Sequence, residues 1–134
     1  MTDRQARIQA AHFILYVDDQ EASTSFYAAV LALEPTLHVP GMTEFHLAEA
    51  AVLGLMPVAG IRRLLGDGLP DPAAAAGTPR AEVYLYVDRP EVYHRRALEH
   101  GARELSPPAR RSWGDIASYV LDADGHVVAF AVRP

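Results

Sequence analysis

His12 and Glu82 carry the side chains best suited to chemistry, an imidazole and a carboxylate that can ligate a metal, move a proton or orient a polar ligand. They open two copies of one pattern. His12-Phe-Ile-Leu-Tyr-Val-Asp18 and Glu82-Val-Tyr-Leu-Tyr-Val-Asp88 share Leu-Tyr-Val-Asp at an offset of 70 residues. Alternate residues of a strand face the same way, so His12, Ile14 and Tyr16 share one side and Phe13, Leu15 and Val17 the other. Glu82, Tyr84 and Tyr86 repeat the first set. The more uniformly apolar set is expected to pack on helices, and the mixed set to line a concave face between two sheets. Buried there without a cation, Glu82 favours its protonated form and is the candidate acid or base. Trp113, in Trp113-Gly-Asp115, offers a flat apolar wall with an N–H handle. Each residue also has a plainer reading. His12 serves equally as an exposed strand end, Glu82 as a surface carboxylate, Tyr84 and Tyr86 as packing, and Trp113 as a loop anchor or dimer contact. Met42 and Met56 read as core filler or adaptable pocket lining.

The elements that must hold these residues follow the same duplication. After the first copy, 21–33 reads as a helix with Phe26, Val30 and Leu33 at helical spacing. After the second, 91–100 reads as another, with Val92, Ala97 and Leu98 inward and Gly101 as its stop. Three short strands follow each helix, at 36–39, 43–48 and 52–57, then at 103–105, 116–121 and 126–132. Asp122-Ala-Asp-Gly125 is a strong turn signal, and its counterpart Ala48-Glu-Ala-Ala51 a poorer one. The reading is one α+β domain over 1–134, built from two βαβββ modules at about 8–58 and 81–134. The intervening 59–80 is a linker rich in Gly and Pro. Ile61–Leu65 supplies one helical turn in it, and the rest is either a mobile connection or an ordered loop covering an interface.

Composition narrows the function. The 134 residues suit one domain, and half of them are apolar. No run of about 18 apolar residues is present, so no membrane span is expected. The polar opening, Met1–Ala11, lacks the apolar stretch of a signal peptide, which leads to an expected cytoplasmic location. With no cysteine, disulfides and thiolate metal sites are excluded. Net charge is −5, and Arg110-Arg111 beside Pro107-Pro108 reads as a solvated loop rather than a phosphate clamp, so nucleic acid is not an expected partner. No nucleophile elbow, phosphate loop or dinucleotide fingerprint is present, and Gly66-Asp-Gly68 lacks the strand-to-helix setting of a cofactor motif.

Ser25-Phe-Tyr-Ala-Ala-Val-Leu-Ala-Leu33 resembles the Ser-x-Phe-Tyr-x-x-x-Leu-Gly-Leu segment of the vicinal oxygen chelate superfamily. That group holds glyoxalase I, bleomycin-resistance proteins, fosfomycin-resistance enzymes and extradiol dioxygenases. Asp122-Ala-Asp-Gly-His-Val-Val-Ala129 is similar to its Asp-Pro-Asp-Gly-Asn-x-x-Glu hairpin, and Val17-Asp-Asp19 and Val87-Asp88 to the Val-x-Asp closing each first strand. Ala32, Ala123 and Ala129 stand where the family has Gly, Pro and Glu. The resemblance implies a glyoxalase/bleomycin-resistance-like fold with a concave sheet pocket. It also implies metal positions on the first and last strands of each module, here His12, about Leu55, Glu82 and Ala129. Two of the four are apolar, while a divalent transition metal takes at least three protein ligands. His46 and His126 are the side chains able to supply a third, although His126 adjoins a turn where exposure is the commoner state. The expectation is a largely metal-free pocket for a small organic molecule, lined by His12, Ile14, His46, Leu55, Glu82, Tyr84, Trp113 and Ala129, with no cofactor. The alternative is a metal-dependent lyase or dioxygenase of the same superfamily, its ion held by His12 and Glu82. A third reading is an interaction module with no ligand. The bleomycin-resistance branch implies a homodimer with the pocket at its interface.

Overall fold

Strand alternation and two helical stripes build the same unit twice in a computed structural model that describes residues 6–134. Met1–Gln5, the head of the polar opening segment, lie outside the described residues. The first module runs β1 (His12–Val17), α1 (Gln20–Leu31), β2 (Leu37–Val39), β3 (Met42–Ala48) and β4 (Ala51–Pro57). After α2 (Val58–Leu65) come two 3-10 turns, Gly66–Gly68 and Pro72–Ala75. The second module is β5 (Glu82–Tyr86), α3 (Pro90–Glu99), β6 (Arg103–Arg110), β7 (Ile116–Leu121) and β8 (Val127–Val132). Each module forms one four-stranded mixed sheet, ordered β1-β4-β3-β2 and β5-β8-β7-β6. In each, the first strand pairs parallel with the last and the remaining pairs are antiparallel. The fold is α+β, two βαβββ modules.

Local chemistry sets the element ends. Asp19 caps α1 by accepting from the Ala22 N–H at 3.0 Å. The helix stops at Ala32, whose φ of 54° turns the chain left-handed, so the expected extension to Leu33 does not form. Its buried stripe is Ser23, Thr24, Tyr27, Val30 and Leu31, which makes Tyr27 rather than Phe26 the deep aromatic. In α3 the inner positions are Pro90, His94 and Ala97. Leu98, expected inward, stays exposed, while the His94 Nε2 reaches the Glu104 carboxylate at 2.7 Å.

Two segments carry more structure than expected. Ile61–Leu65 is part of an eight-residue helix that starts at the end of β4 and buries Ile61, leaving Leu64 and Leu65 in solvent. β6 continues past Leu105 through Pro107 and Pro108, which a strand tolerates at a sheet edge with register shifts. Arg110 is therefore strand, and Arg111 anchors the neighbouring backbone by donating to the Ala117 carbonyl at 2.8 Å and the Ser106 hydroxyl at 2.7 Å.

One core unites the modules. Leu15, Val17, Phe45, Leu53 and Leu55 from the first sheet share a cluster with Val120, Val128 and Phe130 from the second, around Tyr27, Val30 and Leu31 of α1 and Ala97 of α3. The helices α1 and α3 pack on each other. Polar ties reinforce the join. The Tyr27 hydroxyl donates to Asp122 at 2.6 Å, the Asp18 N–H to Asp124 at 2.9 Å, and the His126 imidazole meets the Tyr16 carbonyl at 3.0 Å. Gly125, with φ of +90°, sits so close to the linker that a Cβ there would lie 2.6 Å from Gly77 backbone. Glycine is required at that point.

Candidate functional site

With one face of each sheet committed to the shared core, the opposite faces carry the residues that the alternation set apart. Val83, Leu85 and Val87 pack on the core, which leaves Glu82, Tyr84 and Tyr86 on the open face of their sheet. His12, Ile14 and Tyr16 do the same on theirs, with Ile14 41% exposed and Tyr16 38%; on the other side Leu15 and Val17 are buried, but Phe13, expected to pack with them, is 71% exposed. The sequence expectation of a single hollow shared by both sets thus resolves into two open faces, because the helix-bearing sides are what meet within the chain.

Cross-strand register shows which neighbours share each face. His12 lies beside Val52, Ile14 beside Gly54 and Tyr16 beside Met56. On the far side of β4, His46 pairs with Val52 and Glu44 with Gly54. His12 and His46 therefore flank Val52, and both line a shallow cavity of about 370 Å³ that also includes Glu49. The His12 Nδ1 meets a Glu44 oxygen at 3.3 Å, a partner the sequence reading did not assign. Leu55 is a correction: it is fully buried in the core beneath α1, and the open-face position is Gly54, one residue earlier. Matching the turn Ala48–Ala51 to Asp122–Gly125 sets an offset of 74, which carries Ala129 onto Leu55, whereas the strands themselves match at 75, Val52 with Val127, and the register shift between His46 and Ala48 takes up the extra residue. Gly54 matches Ala129, and Ile14 leans over it so closely that a Cβ there would lie 2.9 Å from the Ile14 Cγ1.

On the second sheet, Tyr84 pairs with Ala129 and Tyr86 with Ala131, while Tyr119 and Ala117 flank these from β7. Ala117, Ala129 and Ala131 are fully covered, so a visiting molecule meets tyrosine side chains rather than strand backbone. Glu82 stands exposed at the start of β5, so the burial that its acid–base role required is missing in the single chain. Asp115, passed over in sequence as part of a loop, is the organising residue. Its Oδ2 accepts from the Tyr84 hydroxyl at 2.7 Å, the Tyr86 hydroxyl at 2.8 Å and the Trp113 indole N–H at 3.2 Å. The indole also donates to the Tyr84 oxygen at 3.1 Å. These donors, the Tyr84 bond foremost, hold the Asp115 carboxyl below its ordinary range despite the opposing pull of burial. Burial and the Asp115 contact raise the Tyr84 phenol, although the Trp113 bond works against them. Tyr119 is raised by burial and then by the charge of Glu82. Trp113 itself remains 57% exposed.

Among the described residues, one group of three potential metal ligands gathers closely: Asp122, Asp124 and His126. Its atoms are already engaged in the turn and in the join to the first module, since the Asp122 Oδ1 accepts from the Asp124 and His126 N–H groups at 3.0 and 2.8 Å. His126 serves this join and does not supplement His12. No helix among the described residues is long and apolar enough to cross a membrane.

Against known proteins, the family model of the Glyoxalase/Bleomycin resistance protein/Dioxygenase superfamily matches residues 9–130. Among solved structures, the chain is similar to a glyoxalase-related enzyme from Fulvimarina pelagi, at 23% identity and a TM-score of 0.78, covering 94% of this chain and 88% of that one. A glyoxalase/bleomycin resistance protein/dioxygenase from Nocardioides gives 23% identity and a TM-score of 0.75, with 96% and 85% covered. TioX from Micromonospora sp. ML1 gives 15% and 0.70, with 94% and 99% covered. At these identities the likeness is one of fold. No curated protein matches the chain.

Proposed function

Because this chain belongs to the Glyoxalase/Bleomycin resistance protein/Dioxygenase superfamily, we propose that it binds a small organic molecule without a resident metal, in pockets completed by a second copy of itself. The observation that carries this reading is the second sheet's open face, where Tyr84, Tyr86 and Trp113 are fixed on Asp115 yet left accessible. Aromatic walls with a few oriented polar atoms are the usual composition of a small-molecule site. Fixing the rings in advance lowers the ordering cost of binding.

The side chains at the four metal positions argue against a resident ion. His12 and Glu82 bring one donor each, while Gly54 and Ala129 bring none. A divalent transition metal takes three or more protein ligands, so these residues do not fit one.

A second copy gives the open faces their partner. Ile14, Tyr16, Tyr86 and Trp113 are too exposed for a chain that has already closed its core. A two-fold dimer that sets the first-module face of one copy against the second-module face of the other covers both faces and makes two identical pockets. His12, Ile14 and His46 would then face Glu82, Tyr84, Trp113 and Ala129 across the interface.

Sedimentation velocity and elemental analysis of protein purified without chelator test this together. The expected outcome is a dimer carrying no stoichiometric metal. One ion per chain, lost in His12→Ala, would overturn the metal-free reading in favour of a metal-dependent lyase or dioxygenase. A monomer at every accessible concentration would overturn the shared pocket.

A further inference from the structure

The Asp115 group is electrically one-sided. Two phenol O–H groups and an indole N–H all spend their protons inward on one carboxylate oxygen. What remains outward is ring faces and oxygen lone pairs, a surface that attracts positive charge. One of those faces is already occupied. The Arg133 guanidinium carbon lies 4.0 Å from the centroid of the Tyr86 ring. Arg133 is exposed, one residue from the end of the chain, and has no ion-pair partner among the described residues. The ring and the nearby Asp115 charge hold it there. Arg111, which lies over Tyr119, is not free to compete, because it is tied to the Ala117 carbonyl and the Ser106 hydroxyl.

We propose that Tyr84, Tyr86, Trp113 and Asp115 form a seat for a cationic nitrogen, that Arg133 fills it in the free chain, and that the bound molecule carries a quaternary ammonium or protonated amine which displaces Arg133. This rests on the ligand-face reading above and narrows its ligand from an organic molecule to an organic cation. Asp115 remains charged at neutral pH because its donors favour the ionised form. Glu82, exposed on the same face, adds a second negative charge. The Arg133 guanidinium is bulky and its side chain costly to immobilise, so a compact ammonium held by the rest of a ligand replaces it at little loss.

Trp113 is the chain's one tryptophan, so fluorescence excited at wavelengths that the six tyrosines do not absorb reports on this seat alone. The experiment titrates the intact protein with choline and with its uncharged isostere 3,3-dimethylbutan-1-ol at matched ionic strength. The expected result is saturable quenching by choline, with affinity about tenfold above the isostere, the size of a partly desolvated cation–π contact. Arg133→Gln vacates the seat and should tighten choline several-fold while leaving the alcohol unchanged. Asp115→Asn should abolish the preference, with circular dichroism checking its fold; if that variant misfolds, the Arg133→Gln comparison decides alone. Equal affinities for the two probes would overturn the cation seat and leave the ligand face standing. Unchanged choline affinity in Arg133→Gln would overturn displacement. Saturation by neither probe would overturn the seat, and continued failure of uncharged aromatic probes to quench Trp113 would then remove the ligand face as well.

Discussion

Tyr27 shows what a single side chain does here. It is 1% exposed in α1, and its hydroxyl donates to Asp122, a residue of the opposite module whose other oxygen organises the final turn. Tyr27→Phe keeps the ring and leaves one carboxylate oxygen without its donor, a loss of about 1–3 kcal/mol. Urea denaturation should show it as a lower midpoint with an unchanged slope. The same bond gives a pH signature. Burial first, then the Asp122 charge, raise the Tyr27 phenol well above the ordinary 10.0. The folded state therefore keeps a proton that the unfolded chain releases near that value. Its contribution is complete below pH 10, and is lost as pH climbs from there through the raised folded value, by at most about 1.4 kcal/mol per pH unit. Stability measured from neutral to strongly alkaline pH should fall on that limb, and Tyr27→Phe should make the fall shallower. An equally steep fall in the variant would assign the effect to other groups.

At the scale of elements, helix termination is the clearest local conflict. Ala32 is the one non-glycine residue with positive φ among the described residues, and it ends α1 in the left-handed region. Ala32→Gly removes the steric cost of a Cβ there and is expected to raise stability by roughly 1 kcal/mol, read as a higher melting temperature. A fall would mean that the freedom glycine gains when unfolded outweighs that relief. The elements were legible where a short-range rule governs them. The repeat at His12 and Glu82 marked where β1 and β5 start, and the Asp122–Gly125 turn placed β7 and β8 to within a residue. What escaped depends on distant partners. Val58–Leu65 is helical because Ile61 has a buried place to go, and β6 passes through Pro107 and Pro108 because its edge needs no further partner. Leu55 was misplaced by one residue because the turns Ala48–Ala51 and Asp122–Gly125 do not match residue for residue: a register shift between His46 and Ala48, which no sequence pattern announces, lies before the first. Asp115 was missed because no spacing rule shows that Tyr84 and Tyr86, about thirty residues away, will deliver their hydroxyls to it.

For the whole molecule, the balance is between one shared core and two uncovered faces. The core joins both modules, so they are expected to unfold together in one transition. If a second copy covers the open faces, that transition is coupled to dissociation, and its midpoint rises with protein concentration. Differential scanning calorimetry over a wide dilution series should show the rise; a concentration-independent midpoint would uncouple folding from association.

The ties between the modules also bear on synthesis. Asp18, Tyr27 and Tyr16 find their partners at Asp124, Asp122 and His126, between 95 and 110 residues later. A nascent chain emerging from a ribosome can form α1 early and tie it to β3 through the Thr24 and Thr43 hydroxyls, 2.9 Å apart, but the helix's bond to the last hairpin waits until that hairpin is made. The join between the modules is therefore the last part of the fold that synthesis permits, and such long-separation closures are the slow ones in folding.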